Sequence, residues 1–95
     1  MENLNVKTVG EQVFLEIKDS VTINNVTELK NILEDMFYYK FIVIDLSDIS
    51  EIDSAGFILI WFFIENLKKR EINFEIRNIS DAIRNLSKTY NLELR

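Results

Sequence analysis

A carboxylate and a hydroxyl stand side by side at Asp53-Ser54, followed by Ala55-Gly56 and then by Phe57 to Ile64, the longest apolar run in the chain. Small polar residues directly before an apolar stretch mark a helix start, where unpaired backbone N–H groups and a partial positive charge favour anions. A serine hydroxyl at that place can carry a phosphoryl group, which brings roughly −1.5 to −2 charge and alters recognition. Asp and Ser are equally the usual helix N-caps, so a purely structural role fits the same spacing. Asp45, Asp48 and Glu51 lie just upstream of Asp53. Their spacing lacks the glycine and terminal glutamate of a calcium loop, so a solvated loop is expected there and no metal site.

The rest of the composition narrows the chemistry. The 95 residues include no His and no Cys, which removes disulfides, thiolate chemistry, the usual zinc and copper sites and the Ser-His-Asp triad. With no glycine-rich phosphate loop either, no enzymatic activity and no cofactor are expected. A net charge of −5 without a basic stripe argues against direct nucleic-acid binding. The apolar run from Phe57 to Ile64 is far shorter than the ~20 residues a bilayer crossing needs, so no membrane insertion is expected. Met1-Glu2-Asn3-Leu4-Asn5 lacks the basic and apolar segments of a secretion signal, and cytoplasmic residence is the expectation. The length suits one domain over residues 1–95 with one core.

The elements that must position Asp53-Ser54 follow from hydropathy periods. Leu4, Val6 and Thr8 alternate with polar residues, as do Val13, Leu15 and Ile17, predicting two short strands with a turn at Gly10. Asp19 to Asn24 then connects to a helix over roughly Val26 to Tyr38, with Asn25 and Glu28 in a capping arrangement. Phe41-Ile42-Val43-Ile44 is apolar without alternation, the pattern of a central strand buried on both faces, ending at Asp45. A loop carries Asp48, Glu51 and Asp53, and a second helix runs from Ala55 to about Arg70, its basic end suiting the helix dipole. Asn73 to Arg77 alternates as a strand, Asn78 or Ser80 begins a third helix with Ala82, Ile83, Leu86 and Tyr90 on one face, and Leu92 to Arg95 is a candidate last strand. The order is β-β-α-β-α-β-α(-β), an α/β fold with a mixed sheet and helices packed mainly on one side.

On the second helix, Phe57, Leu59, Ile60, Phe63, Ile64 and Leu67 form one broad face. Ile58, Trp61 and Phe62 fall on the polar side with Glu65. Large apolar groups at positions that should meet water mark an interface, with a partner or in a homodimer. A core wrapped further round the helix fits the same residues.

Asp53-Ser54-Ala55-Gly56, preceded by Ile44-Asp45-Leu46-Ser47 and followed by an apolar helix, resembles the motif of STAS domains, named for sulfate transporters and anti-sigma factor antagonists. The resemblance covers nearly the whole chain. In the antagonists of this family the serine after that aspartate is phosphorylated by an ATP-dependent anti-sigma kinase; the matching residue is Ser54. The resemblance implies that the unphosphorylated form binds an anti-sigma factor acting as serine kinase, or another STAS-binding protein, and that the phosphorylated form lets go. Asp53 would orient the site and Gly56 would permit close approach by the partner. The implied partner face comprises Asp53, Ser54, Ala55, Gly56, Ile58, Trp61, Phe62 and Glu65 on the second helix. Thr22 and Asn24 join it from the loop before the first helix. Two departures stand out: Ile58 replaces a glycine common in the family, and Asp19-Ser20-Val21-Thr22 replaces a Gly-acidic-aliphatic-Asp loop. The ending Leu86 to Leu92 is similar to the STAS subunit of phospholipid-transport ABC systems, which implies an ABC ATPase subunit as the alternative partner.

Overall fold

The computed structural model describes residues 3–94. Met1 and Glu2, part of the stretch read as no leader, and Arg95, part of the candidate last strand, lie outside the described residues. In chain order the elements are β1 (Leu4–Val9), β2 (Gln12–Ile17), β3 (Asp19–Val21), α1 (Val26–Asp35), β4 (Phe41–Leu46), β5 (Ile49–Ile52), α2 (Ser54–Lys69), β6 (Asn73–Ile79) and α3 (Asp81–Tyr90). The α/β architecture is therefore the one the hydropathy periods predict, a mixed sheet with three helices.

β1 and β2 pair antiparallel, with Val9 opposite Gln12. The turn between them works because Gly10 takes φ +62°, a left-handed conformation without steric cost for glycine. β2 then pairs parallel with β4, and β4 with β6, giving the order β1-β2-β4-β6. Pleating sends Val13, Leu15, Ile17, Ile42, Ile44 and Leu46 to one face, where they join Leu29, Leu33, Phe57, Ile60, Phe63, Ile64, Leu67 and Ile83 from the helices in one core. The other face carries Phe14, Phe41 and Val43. Val43 is buried there although it lies outside the core, and the Arg77 guanidinium sits 5.8 Å from the centre of the Phe14 ring. β4 is thus fully buried on its helix face, whereas on the other face Val43 is buried and Phe41 and Asp45 are only half-buried, short of the burial on both faces expected of it.

Four local expectations need correction. The first helix closes at Asp35 and tightens into a 3-10 turn over Met36–Tyr38. Asn25 occupies its N-cap without a side-chain cap bond, because its carboxamide is engaged with the preceding loop, accepting the Thr22 N–H and donating to the Ser20 carbonyl, each at 2.9 Å. The stretch expected to be a solvated loop contains β5, which pairs parallel with β3 in a small sheet of its own. Strands of three and four residues are too short for a period to be read. The candidate last strand does not form over residues 92–94: Asn91 adopts φ 54°, the Leu92 N–H returns to the Ser87 carbonyl at 3.1 Å, and Leu94 turns into the core.

Among the described residues no helix is long and apolar enough to cross a membrane.

Candidate functional site

Asp53 sits in extended conformation immediately before α2, and its carboxylate joins two segments. Oδ1 accepts the Gly56 N–H at 2.9 Å, closing the first turn of the helix as an N-cap. Oδ2 accepts the Ile23 N–H, also at 2.9 Å, from the loop between β3 and α1. These two donors, Gly56 first and Ile23 second, hold the Asp53 carboxyl below its ordinary range, because both stabilise the charged form. The loop is itself a small hydrogen-bonded unit: besides the Asn25 bonds, the Asn25 and Val26 N–H groups both return to the Thr22 carbonyl.

Gly56 explains why loop and helix come so close. A Cβ on Gly56 would lie 2.0 Å from the Val21 carbonyl oxygen and 2.9 Å from Val21 Cγ1. Gly56 is buried, and within the chain the close approach it permits is that of β3.

Ser54 is the first residue of α2 and is exposed. Its hydroxyl is hydrogen-bonded to the Tyr90 hydroxyl at the end of α3. Because both Asp53 oxygens are engaged with backbone N–H groups, the neighbouring carboxylate is occupied as a clamp rather than aimed at Ser54 as a base. The Ser54 residue thus lies exposed at the positive end of a helix sixteen residues long, with its hydroxyl on Tyr90.

The remaining predicted residues divide by where they lie on α2. Ser54, Ile58, Trp61 and Glu65 recur at spacings of four, three and four, and so form one stripe along the helix. Ile58 and Trp61 are half-buried, Trp61 partly through packing on the core, and Glu65 is ion-paired with Lys68 at 3.1 Å. Phe62 is 53% exposed and lies off that stripe. Its ring meets Trp61 edge-on at 5.3 Å on one side. On the other it lines a groove of about 430 Å³ between α1 and α2, with Phe37, Leu59, Lys30 and Arg70 among the walls. Leu59, placed on the core face by its periodicity, is only half-buried at this groove. Ala55 is half-buried, Thr22 half-buried and Asn24 exposed, these last two flanking Ile23.

Ile23 and Tyr90 belong to the site although neither was among the residues expected in it. Ile23 is 67% exposed beside Asp53, an unusual position for a large aliphatic side chain and the signal that could have marked it. Tyr90 lies 36 residues from Ser54, and no local pattern connects them. Asp45, Asp48, Glu51 and Asp53 do not converge; among the described residues no group of three or more carboxylates is placed to hold a metal ion.

A search of curated protein sequences gives no match. Solved structures share the fold. SpoIIAA of Bacillus, an anti-sigma factor antagonist, matches in its phosphorylated form with a TM-score of 0.73 and 16% identity, covering 94% of this chain and 84% of that one. A candidate anti-sigma factor antagonist from Thermotoga maritima matches with a TM-score of 0.75 and 22% identity, covering 93% and 78%. Mglu also matches, with a TM-score of 0.72 and 20% identity, but the chain spans only 21% of that protein's length. A STAS domain family model matches residues 3–94, over the strands, the Asp53 clamp and all three helices, and the chain belongs to the STAS domain family.

Proposed function

We propose that the chain is a non-enzymatic regulatory module that binds a partner protein through the start of α2 and the β3–α1 loop, and is switched by phosphorylation of Ser54. The partner is an anti-sigma factor with serine kinase activity. The observation that carries this reading is the exposed Ser54 hydroxyl at the first position of α2, beside a loop fixed by Asp53 and in line with Ile58 and Trp61. In the transfer, Ser54 Oγ forms a bond to the terminal phosphorus of ATP as the bond to the ADP oxygen breaks, and the hydroxyl proton passes to a base on the kinase. The phosphate then lies at the positive start of α2, beside the Asp53–Gly56 cap, and its charge adds to that of an already acidic chain and changes what this surface recognises.

The test is intact-mass measurement of the protein from its native host, combined with incubation with ATP and the anti-sigma kinases of that host. One phosphate that disappears in Ser54→Ala, and binding by a kinase that weakens in Ser54→Asp, are the expected results. Undiminished affinity of Ser54→Asp, or no modification and no binding by any of the kinases, contradicts the reading.

A second reading is favoured by one observation. Ile58 and Trp61 put two large apolar groups on the same stripe as Ser54, which suits a lasting complex such as that with the ATPase subunit of a phospholipid-transport ABC system. Co-purification at native expression level separates the two: the ATPase subunit in the pull-down supports a stable subunit, and its absence excludes one.

A further inference from the structure

Tyr90 closes α3, and it touches the first turn of α2 twice. Its ring lies 5.7 Å from the Phe57 ring, tilted by 58°, and its hydroxyl is hydrogen-bonded to Ser54 Oγ. Ser54 and Phe57 are three residues apart and so share a face of the helix, which lets one tyrosine cover both. The apolar body rests on a fully buried ring and the polar tip on the hydroxyl. Immediately behind Tyr90 the chain reverses at Asn91, whose N–H returns to the Lys88 carbonyl at 3.3 Å. The Ser87 hydroxyl bonds the Leu92 carbonyl, and Leu94 enters the core. Tyr90 is therefore the anchor between the Ser54 hydroxyl and the turn that seats the last described residues.

We propose that Tyr90 senses the chemical state of Ser54, docking the end of α3 against the free hydroxyl and releasing it when Oγ carries a phosphoryl group. This rests on the reading of Ser54 as a phosphoacceptor. Phosphorylation replaces the O–H bond by an O–P bond, so Oγ loses its proton. Either hydroxyl can donate in this pair; with Ser54 as the donor, as proposed, its proton lies between the two oxygens, and the phosphorus that replaces it, with three further oxygens, has no room there. Rotation about χ1 of Ser54 can turn the phosphate toward the helix N–H groups, and Tyr90 then loses its polar partner; otherwise the tyrosine itself must swing out. In both cases the Ser54–Tyr90 bond is broken and only the ring contact with Phe57 remains. The end of α3, with Leu92 and Leu94 behind it, then opens more often. The modification is read at a second surface, separate from the docking face on α2.

The test installs phosphoserine at position 54 during translation, in the full chain and in Tyr90→Phe, and follows amide hydrogen exchange by NMR. Tyr90→Phe keeps the ring on Phe57 and removes only the hydroxyl, so it preserves the fold. In the otherwise unchanged chain, phosphoserine is expected to lower protection of the Asn91 and Leu92 amides about three- to tenfold, the scale of one lost hydrogen bond, and to leave the Ile44 amide in β4 unaffected. In Tyr90→Phe those amides start at the lowered value, and phosphoserine changes them less than twofold. Protection that stays within twofold in the unchanged chain overturns the proposal. So does an equal response in Tyr90→Phe, which would route the effect past the tyrosine. Because the phosphate is installed without a kinase, a negative result here leaves Ser54 standing as a phosphoacceptor. Absence of phosphate in protein from the native host tests that reading alone.

Discussion

The carboxylate of Asp53 accepts the Ile23 N–H at 2.9 Å and thereby ties together residues thirty apart in the chain. With its second oxygen on the Gly56 N–H, Asp53 fixes the β3–α1 loop and the first turn of α2 as one surface. A residue that reads locally as a helix cap is in the folded protein a bridge between segments.

The bridge sets a pH dependence. The Asp53 carboxyl is held below its ordinary value of 3.8 in the folded chain, whereas the unfolded chain has no such donors. A carboxyl lowered on folding contributes stability that is complete above the unfolded value and is lost as pH falls through that value toward the folded one. Asp53→Asn retains one acceptor oxygen and no charge. The urea midpoint of the unchanged protein is therefore expected to exceed that of Asp53→Asn by a steady margin near neutrality, and the margin to shrink below about pH 3.8. Chemical unfolding curves measured from pH 7 to pH 3 check this, and a margin independent of pH would count against the clamp.

Gly56→Ala is expected to be among the most damaging small substitutions. Its new methyl would lie 2.0 Å from the Val21 carbonyl oxygen, and backbone on both sides leaves no flexible group to move away. Overpacking of this kind costs about 3 kcal/mol, a fall in Tm of more than about 10 °C for a domain of this size. Gly10→Ala, where the added methyl meets nothing and only the φ of +62° is strained, is expected to cost about 1 kcal/mol. Thermal unfolding followed by circular dichroism ranks the two, and the reverse order would refute the packing account.

Two aromatic residues on α2 are expected to separate sharply. Phe57 is fully buried, so Phe57→Ala should cost about 3 to 5 kcal/mol through lost burial and a cavity. Phe62, 53% exposed, should tolerate Phe62→Ser within about 0.5 kcal/mol, while the emission of Trp61, whose ring it meets edge-on at 5.3 Å, shifts as its neighbour is removed. Denaturant melts followed by tryptophan fluorescence report both quantities, and a large loss of stability in Phe62→Ser would place that ring in the core.

Much of this arrangement can be read directly along the chain. The alternation of Val13, Leu15 and Ile17, the unbroken Phe41 to Ile44 and the helical spacing from Phe57 to Leu67 each reflect burial that a single element imposes on its own residues. The start of α2 was legible for the same reason, since Asp53 and Ser54 act on their immediate neighbours. What escaped was non-local. β5 is too short to show a period and exists because β3 pairs with it. Asn25 looks like a cap until its carboxamide is found on Thr22 and Ser20. Gly56 carries no mark that its missing side chain answers to Val21. Ile58, Trp61 and Phe62 form a single group by hydropathy; helical spacing sets Phe62 off the stripe, and the packing of α1 beside α2 gives it a groove of its own to line.

The small sheet of β3 and β5 has a consequence in time. Its strands come from either side of α1 and β4, so their parallel pairing closes a long loop and belongs among the slower contacts to form. A chain that has made its N-terminal hairpin and α1 still has β3 without a partner and no Asp53 in reach of Ile23. The surface around Ser54 is therefore assembled only once the polypeptide has folded past its middle, so an immature copy cannot present it.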